Sequence, residues 1–93
     1  MKPDESVLVL RNSDVTELLS EIPNGHHHLR TTLTISDGRS ITLQEATVAA
    51  IVRAYTRVKT DPLRRQVRMK GRLLAERKYG YAEWQLIEEP DEN

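Results

Sequence analysis

Arg64, Arg68 and Arg72 recur at intervals of four residues. Three guanidinium groups in one row of a helix could grip phosphate or carboxylate oxygens two at a time, which an ammonium group does not do. They lie in a segment, Arg53 to Lys78, that holds ten of the chain's fourteen basic residues and only two acids, Asp61 and Glu76. That segment carries +8 and the remainder −8, so a net charge of zero conceals strong segregation. Arg53, Arg57, Arg64, Arg65, Arg68 and Arg72 are therefore the candidate partner-binding residues.

The arginines suit an acidic protein surface. They also suit a second copy of the chain, whose negative remainder could meet the positive segment. A plain solvated face is the bland alternative, because arginine forms helix well and its stem lies down over apolar neighbours. Nucleic acid is a further candidate, since two predicted helices meet at Thr60-Asp61 in a helix-turn-helix-like arrangement. Against it stand a sequence pI of 6.8, where such domains commonly exceed about 9, and a turn without glycine. Neither an RNP-like aromatic string nor a GXXG loop occurs.

His26, His27 and His28 are the other residues with chemical capacity. In extended chain His26 and His28 point the same way, which makes them weak metal candidates. Zinc sites use three or four ligands, and no second histidine cluster exists. The alternative is three exposed imidazoles leading into a strand. No G-x-S-x-G, S-x-x-K, Walker A or G-x-G-x-x-G motif occurs. The chain is thus expected to be non-enzymatic and to need no cofactor.

Ninety-three residues make one expected domain, 1–93, with a thin core. There is no cysteine, no phenylalanine and one tryptophan, so disulfides, thiol chemistry and a deep aromatic pocket are not expected. The charged start Met1–Glu5 does not resemble a signal peptide, and no apolar run reaches the ~20 residues needed to span a membrane. A cytoplasmic, soluble protein is the default expectation.

The elements that would carry these residues follow from pattern. Residues 1–5 and 88–93 are charged ends expected to fray. Val7–Leu10 predicts a short buried strand. Ser13 looks like an N-cap, and Val15, Leu18, Leu19 and Ile22 at spacings of three and four predict a helix that ends at Pro23-Asn24-Gly25. Leu29, Thr31, Leu33 and Ile35 alternate with polar residues, and Asp37-Gly38 predicts a type I′ turn into a returning strand, Arg39–Leu43. Thr42 and Glu45 suggest a capping box for a helix ending near Thr60. In that helix Val48, Ile51, Val52, Tyr55 and Val58 form the core side, and Arg53 and Arg57 lie opposite it, beside Ala46 and Ala50.

Asp61-Pro62 reads as N-cap and first turn of a third helix over 62–78, with Leu63, Val67 and Leu74 within about 40° as its inner stripe. Val67, Met69, Gly71 and Leu73 alternate with Arg68, Lys70 and Arg72, so a strand competes there. Arg77, Lys78 and Gly80 suit the helix end. Tyr81–Ile87 predicts a closing strand. Tyr79, Tyr81 and Trp84 are expected to cover one end of the sheet, with Trp84 in the core, and the alternative is a contact surface. The expected fold is α+β in the order β-α-β-β-α-α-β, a mostly antiparallel sheet with helices on one face. The expected function is an interaction or regulatory module.

Overall fold

A computed structural model describes residues 8–73 and 84–89. The described residues form two antiparallel sheets and one α-helix, an α+β arrangement, and the chain divides at Leu43/Gln44 into two compact units.

The first unit is a three-stranded sheet ordered β1 (Val15–Glu21), β2 (Arg30–Ile35), β3 (Ser40–Gln44). A single 3-10 turn, Asn12–Asp14, leads into β1. Asp14 closes it, its carboxylate accepting from the Arg11 N–H at 2.9 Å. The expected helix from Ser13 to Ile22 is therefore a strand. Thr16 explains the misleading period. Val15 pairs with Ile35 and Leu18 with Leu33, and the register shifts by one residue between Val15 and Glu17. Residues three apart normally face opposite sides of a strand, but an inserted bulge residue returns both to one side. A helix-like spacing thus arises from a bulged strand. The expected buried strand at Val7–Leu10 is also corrected. Residues 8–10 are not in a strand, Leu8 and Val9 are exposed, and Val7 lies outside the described residues.

The β2–β3 hairpin forms as expected. Thr31 and Ile35 are buried and Leu33 is half-buried on one face. The Thr31 hydroxyl is satisfied by Ser20 Oγ at 2.7 Å. The turn is not type I′. No residue but glycine has positive φ among those described, so Asp37 cannot occupy the first of two left-handed positions. Instead the Gly38 N–H donates to the Ile35 carbonyl at 2.8 Å, and Gly38 alone adopts φ +94°. This is the longer loop with a left-handed glycine bulge. Asp37 holds it by accepting from the Arg39 backbone N–H at 2.9 Å and from Arg39 Nε at 2.8 Å.

The second unit contains α1 (Glu45–Thr60) and a hairpin of β4 (Met69–Leu73) and β5 (Trp84–Glu88). α1 has the expected span. The expected capping box is absent, because Thr42 sits in β3 and its hydroxyl bonds Thr32 Oγ1 at 3.0 Å. Gln44 occupies the N-cap without a side-chain hydrogen bond.

The expected helix over 62–78 does not form in its described part, 62–73. Asp61 closes one turn, with the Leu63 N–H on Asp61 Oδ1 at 3.0 Å and the Arg64 N–H on the Asp61 carbonyl at 3.1 Å. The chain then runs outside regular structure into β4. Cross-strand pairing of Met69, Gly71 and Leu73 with Glu88, Leu86 and Trp84 outweighs helix propensity there. Leu63, expected on the inner stripe, is 91% exposed. Leu74–Gly80, and with them Tyr79 and the expected helix end, lie outside the described residues, as does Tyr81. Among the described residues the β-α-β-β-α-α-β order is thus corrected to three strands, one helix and two strands. Glu88 and Glu89, expected to fray, are ordered in β5 and just after it, where the Glu89 N–H donates to the Arg68 carbonyl at 2.9 Å.

Candidate interaction surface

Glu88 organises the basic segment. Its carboxylate meets Arg57 Nη2 of α1 at 3.3 Å on one oxygen and Arg64 Nη1 on the other. Two cations twenty-four and thirty-one residues upstream are thereby tied to the last strand. Arg64 and Glu88 are only about a quarter exposed, so this pair is screened less than a surface pair. Lys70 approaches Glu89 at 3.5 Å. Glu88 and Glu89 thus pair with part of the basic segment.

The other four candidate arginines are not so occupied. Arg53 on α1, Arg65 in the segment after the Asp61 turn, Arg68 before β4 and Arg72 within β4 are all exposed, and none makes an ion pair among the described residues. The predicted helical row of Arg64, Arg68 and Arg72 does not exist. Arg64 turns to Glu88, whereas Lys70 and Arg72 share one face of the β4–β5 ribbon by strand alternation. The same change removes the expected helix pair joined at Thr60-Asp61.

α1 presents a second feature. The expected core side is only partly covered: Val48 and Val58 are half-buried, whereas Ile51, Val52 and Tyr55 are 53%, 57% and 57% exposed. The buried residue is Ala50, which was expected beside the outward arginines. Ala50, Ala54 and Arg57 share one side of the helix, and Arg57 is the residue that reaches β5. The most deeply buried residue of the helix is thus a small one. Apolar periodicity alone does not place Ile51, Val52 and Tyr55 outside or Ala50 inside.

Trp84 was expected in the core but is 59% exposed. Its indole instead covers Gly71 of the neighbouring strand. His26 and His28 are exposed in the segment between β1 and β2, after the turn in which the His26 N–H meets the Pro23 carbonyl at 3.0 Å. No group of three or more histidine, aspartate or glutamate side chains among the described residues is placed to hold a metal ion. No described helix is long and apolar enough to cross a membrane.

No known protein family matches the chain, and neither a curated protein nor a solved structure matches it.

Proposed function

We propose that this chain is a small non-enzymatic interaction module that contacts an acidic protein surface through the exposed arginines of its second unit. The observation that carries this reading is the exposure of Arg53, Arg65, Arg68 and Arg72 without ion-pair partners among the described residues. Guanidinium groups are suited to bidentate contact with carboxylates. Arg57 and Arg64 take a different role, joining α1 and the following segment to β5 through Glu88. The lack of any catalytic motif in the sequence supports a binding role.

The test uses two labelled probes, a polyglutamate peptide and a DNA duplex of matched charge, followed by fluorescence anisotropy. Polyglutamate binding should be measurable at about 50 mM salt and lost near 0.5 M, because contacts between exposed charges are screened. Replacing Arg65, Arg68 and Arg72 together with glutamine should abolish it. Binding to the duplex without binding to polyglutamate would overturn the reading in favour of a phosphate-backbone ligand, as would its absence for both probes in favour of a solvated face.

A further inference from the structure

The exposed stripe of α1 has a charge pattern that selects its occupant. At 100° per residue, Val48, Ile51, Val52 and Tyr55 span about 100° of the helix circumference. Ile51, Val52 and Tyr55 are exposed and Val48 is half-buried. Lys59 falls inside the same sector, and Glu45 lies about 20° beyond its edge. Arg53 and Arg57 fall on the other side, where Arg57 is bound to Glu88. The stripe therefore has one acid at its first turn, one ammonium group at its last and only apolar residues between.

Glu45 and Lys59 lie seven residues on either side of Val52. A two-fold axis through Val52 would lay a second α1 antiparallel to the first and set Glu45 of each copy against Lys59 of the other. Ile51 would then pack near Tyr55 of the second copy, and Val52 near its own equivalent. This is an isologous interface, in which one patch complements itself. A parallel arrangement would instead oppose Glu45 to Glu45 and Lys59 to Lys59. The antiparallel form also sets each helix's positive end beside the other's negative end.

We infer that the Val48–Tyr55 stripe is a homodimer interface formed by antiparallel pairing of α1 from two copies of the chain. It uses none of Arg53, Arg65, Arg68 or Arg72, so it does not rest on the function proposed above. Two helices of this length bury less than the ~1,200–2,000 Å² of a stable interface. Association is accordingly weak, with Kd on the order of 100 µM.

The test is sedimentation equilibrium of the full chain from about 10 µM to 1 mM. The wild-type chain should show a monomer–dimer equilibrium, and Val52→Asp, at an exposed position, should leave a monomer with unchanged circular dichroism. Glu45→Lys and Lys59→Glu should each weaken the dimer about tenfold by opposing like charges twice per interface. An equimolar mixture of these two variants should recover dimer, because each opposes the other's changed charge. Rescue in trans cannot arise from a change in the folding of either chain alone. A wild-type chain that stays monomeric, a dimer that survives Val52→Asp, or a mixture no tighter than its components would overturn the inference.

Discussion

The indole of Trp84 on β5 lies over the Cα of Gly71 on β4, so closely that a Cβ at position 71 would sit 2.5 Å from Cε2 and Nε1 of the ring. Gly71 has no positive φ and needs no special backbone freedom. It is required for space. An aromatic ring laid diagonally across a strand glycine shields backbone that would otherwise be bare, and it fixes the register of an isolated ribbon.

Gly71→Ala should therefore destabilise the β4–β5 hairpin by about 1 kcal/mol, although alanine ordinarily suits folded backbone better than glycine. Trp84 is the one tryptophan, so its fluorescence reports this contact directly. A red shift of the emission in Gly71→Ala is expected. An unchanged spectrum and stability would show that the ring does not rest on Gly71 in solution.

Glu88→Gln should loosen the second unit, because one carboxylate serves both Arg57 and Arg64. Arg57 is about half exposed, so the cost rests mainly on Arg64 and should be about 1 kcal/mol. Urea unfolding at low and high salt measures it. The difference between wild type and variant should shrink as salt rises, and a salt-independent difference would assign the loss to packing instead.

Acid should weaken the β2–β3 turn through Asp37. The Arg39 backbone N–H, with the Arg39 guanidinium beside it, holds this carboxyl below its ordinary value of 3.8. A depressed folded value means that the stabilisation is complete above 3.8 and disappears as pH falls through the lower, folded value. The Gly38 and Arg39 amide resonances should move over that acidic window and not near neutrality. In Asp37→Asn the movement should vanish.

Gly38→Ala should cost about 1 kcal/mol or more, since φ +94° is strained for any residue with a Cβ, even though open space surrounds the position. Thermal melts of Gly38→Ala and Gly38→Asn distinguish backbone strain from crowding. Asparagine tolerates left-handed backbone better and should recover part of the loss. Equal losses in the two would point away from strain.

The β2–β3 hairpin and α1 were legible because alternation, Asp37-Gly38 and helical spacing all agree locally. β1 was not, because the bulge at Thr16 imitates a helical period. β4 showed its alternation at Met69, Gly71 and Leu73, but Asp61-Pro62 and strong helix formers pointed the other way. What decides it is pairing with β5, whose residues lie eleven or more positions downstream. The arginines could be named from charge alone. Glu88 could not, because nothing local marks a terminal glutamate as the partner of Arg57 and Arg64. Periodicity showed that α1 has two sides but not which one is covered.

The bulge at Thr16 also bears on how the chain stays apart from other chains. Among the described strands β1 is an edge of its sheet, and Leu18 and Leu19 within it and Ile22 just after it are exposed. A flat apolar edge of that kind invites strand addition and fibril growth. The extra residue twists the ladder near its start, and Glu17 and Glu21 place negative charge along its length. An incoming strand would meet broken register at one end and carboxylates beyond it. Removing Thr16 to regularise the strand would straighten the edge and, with it, raise the tendency of the protein to aggregate.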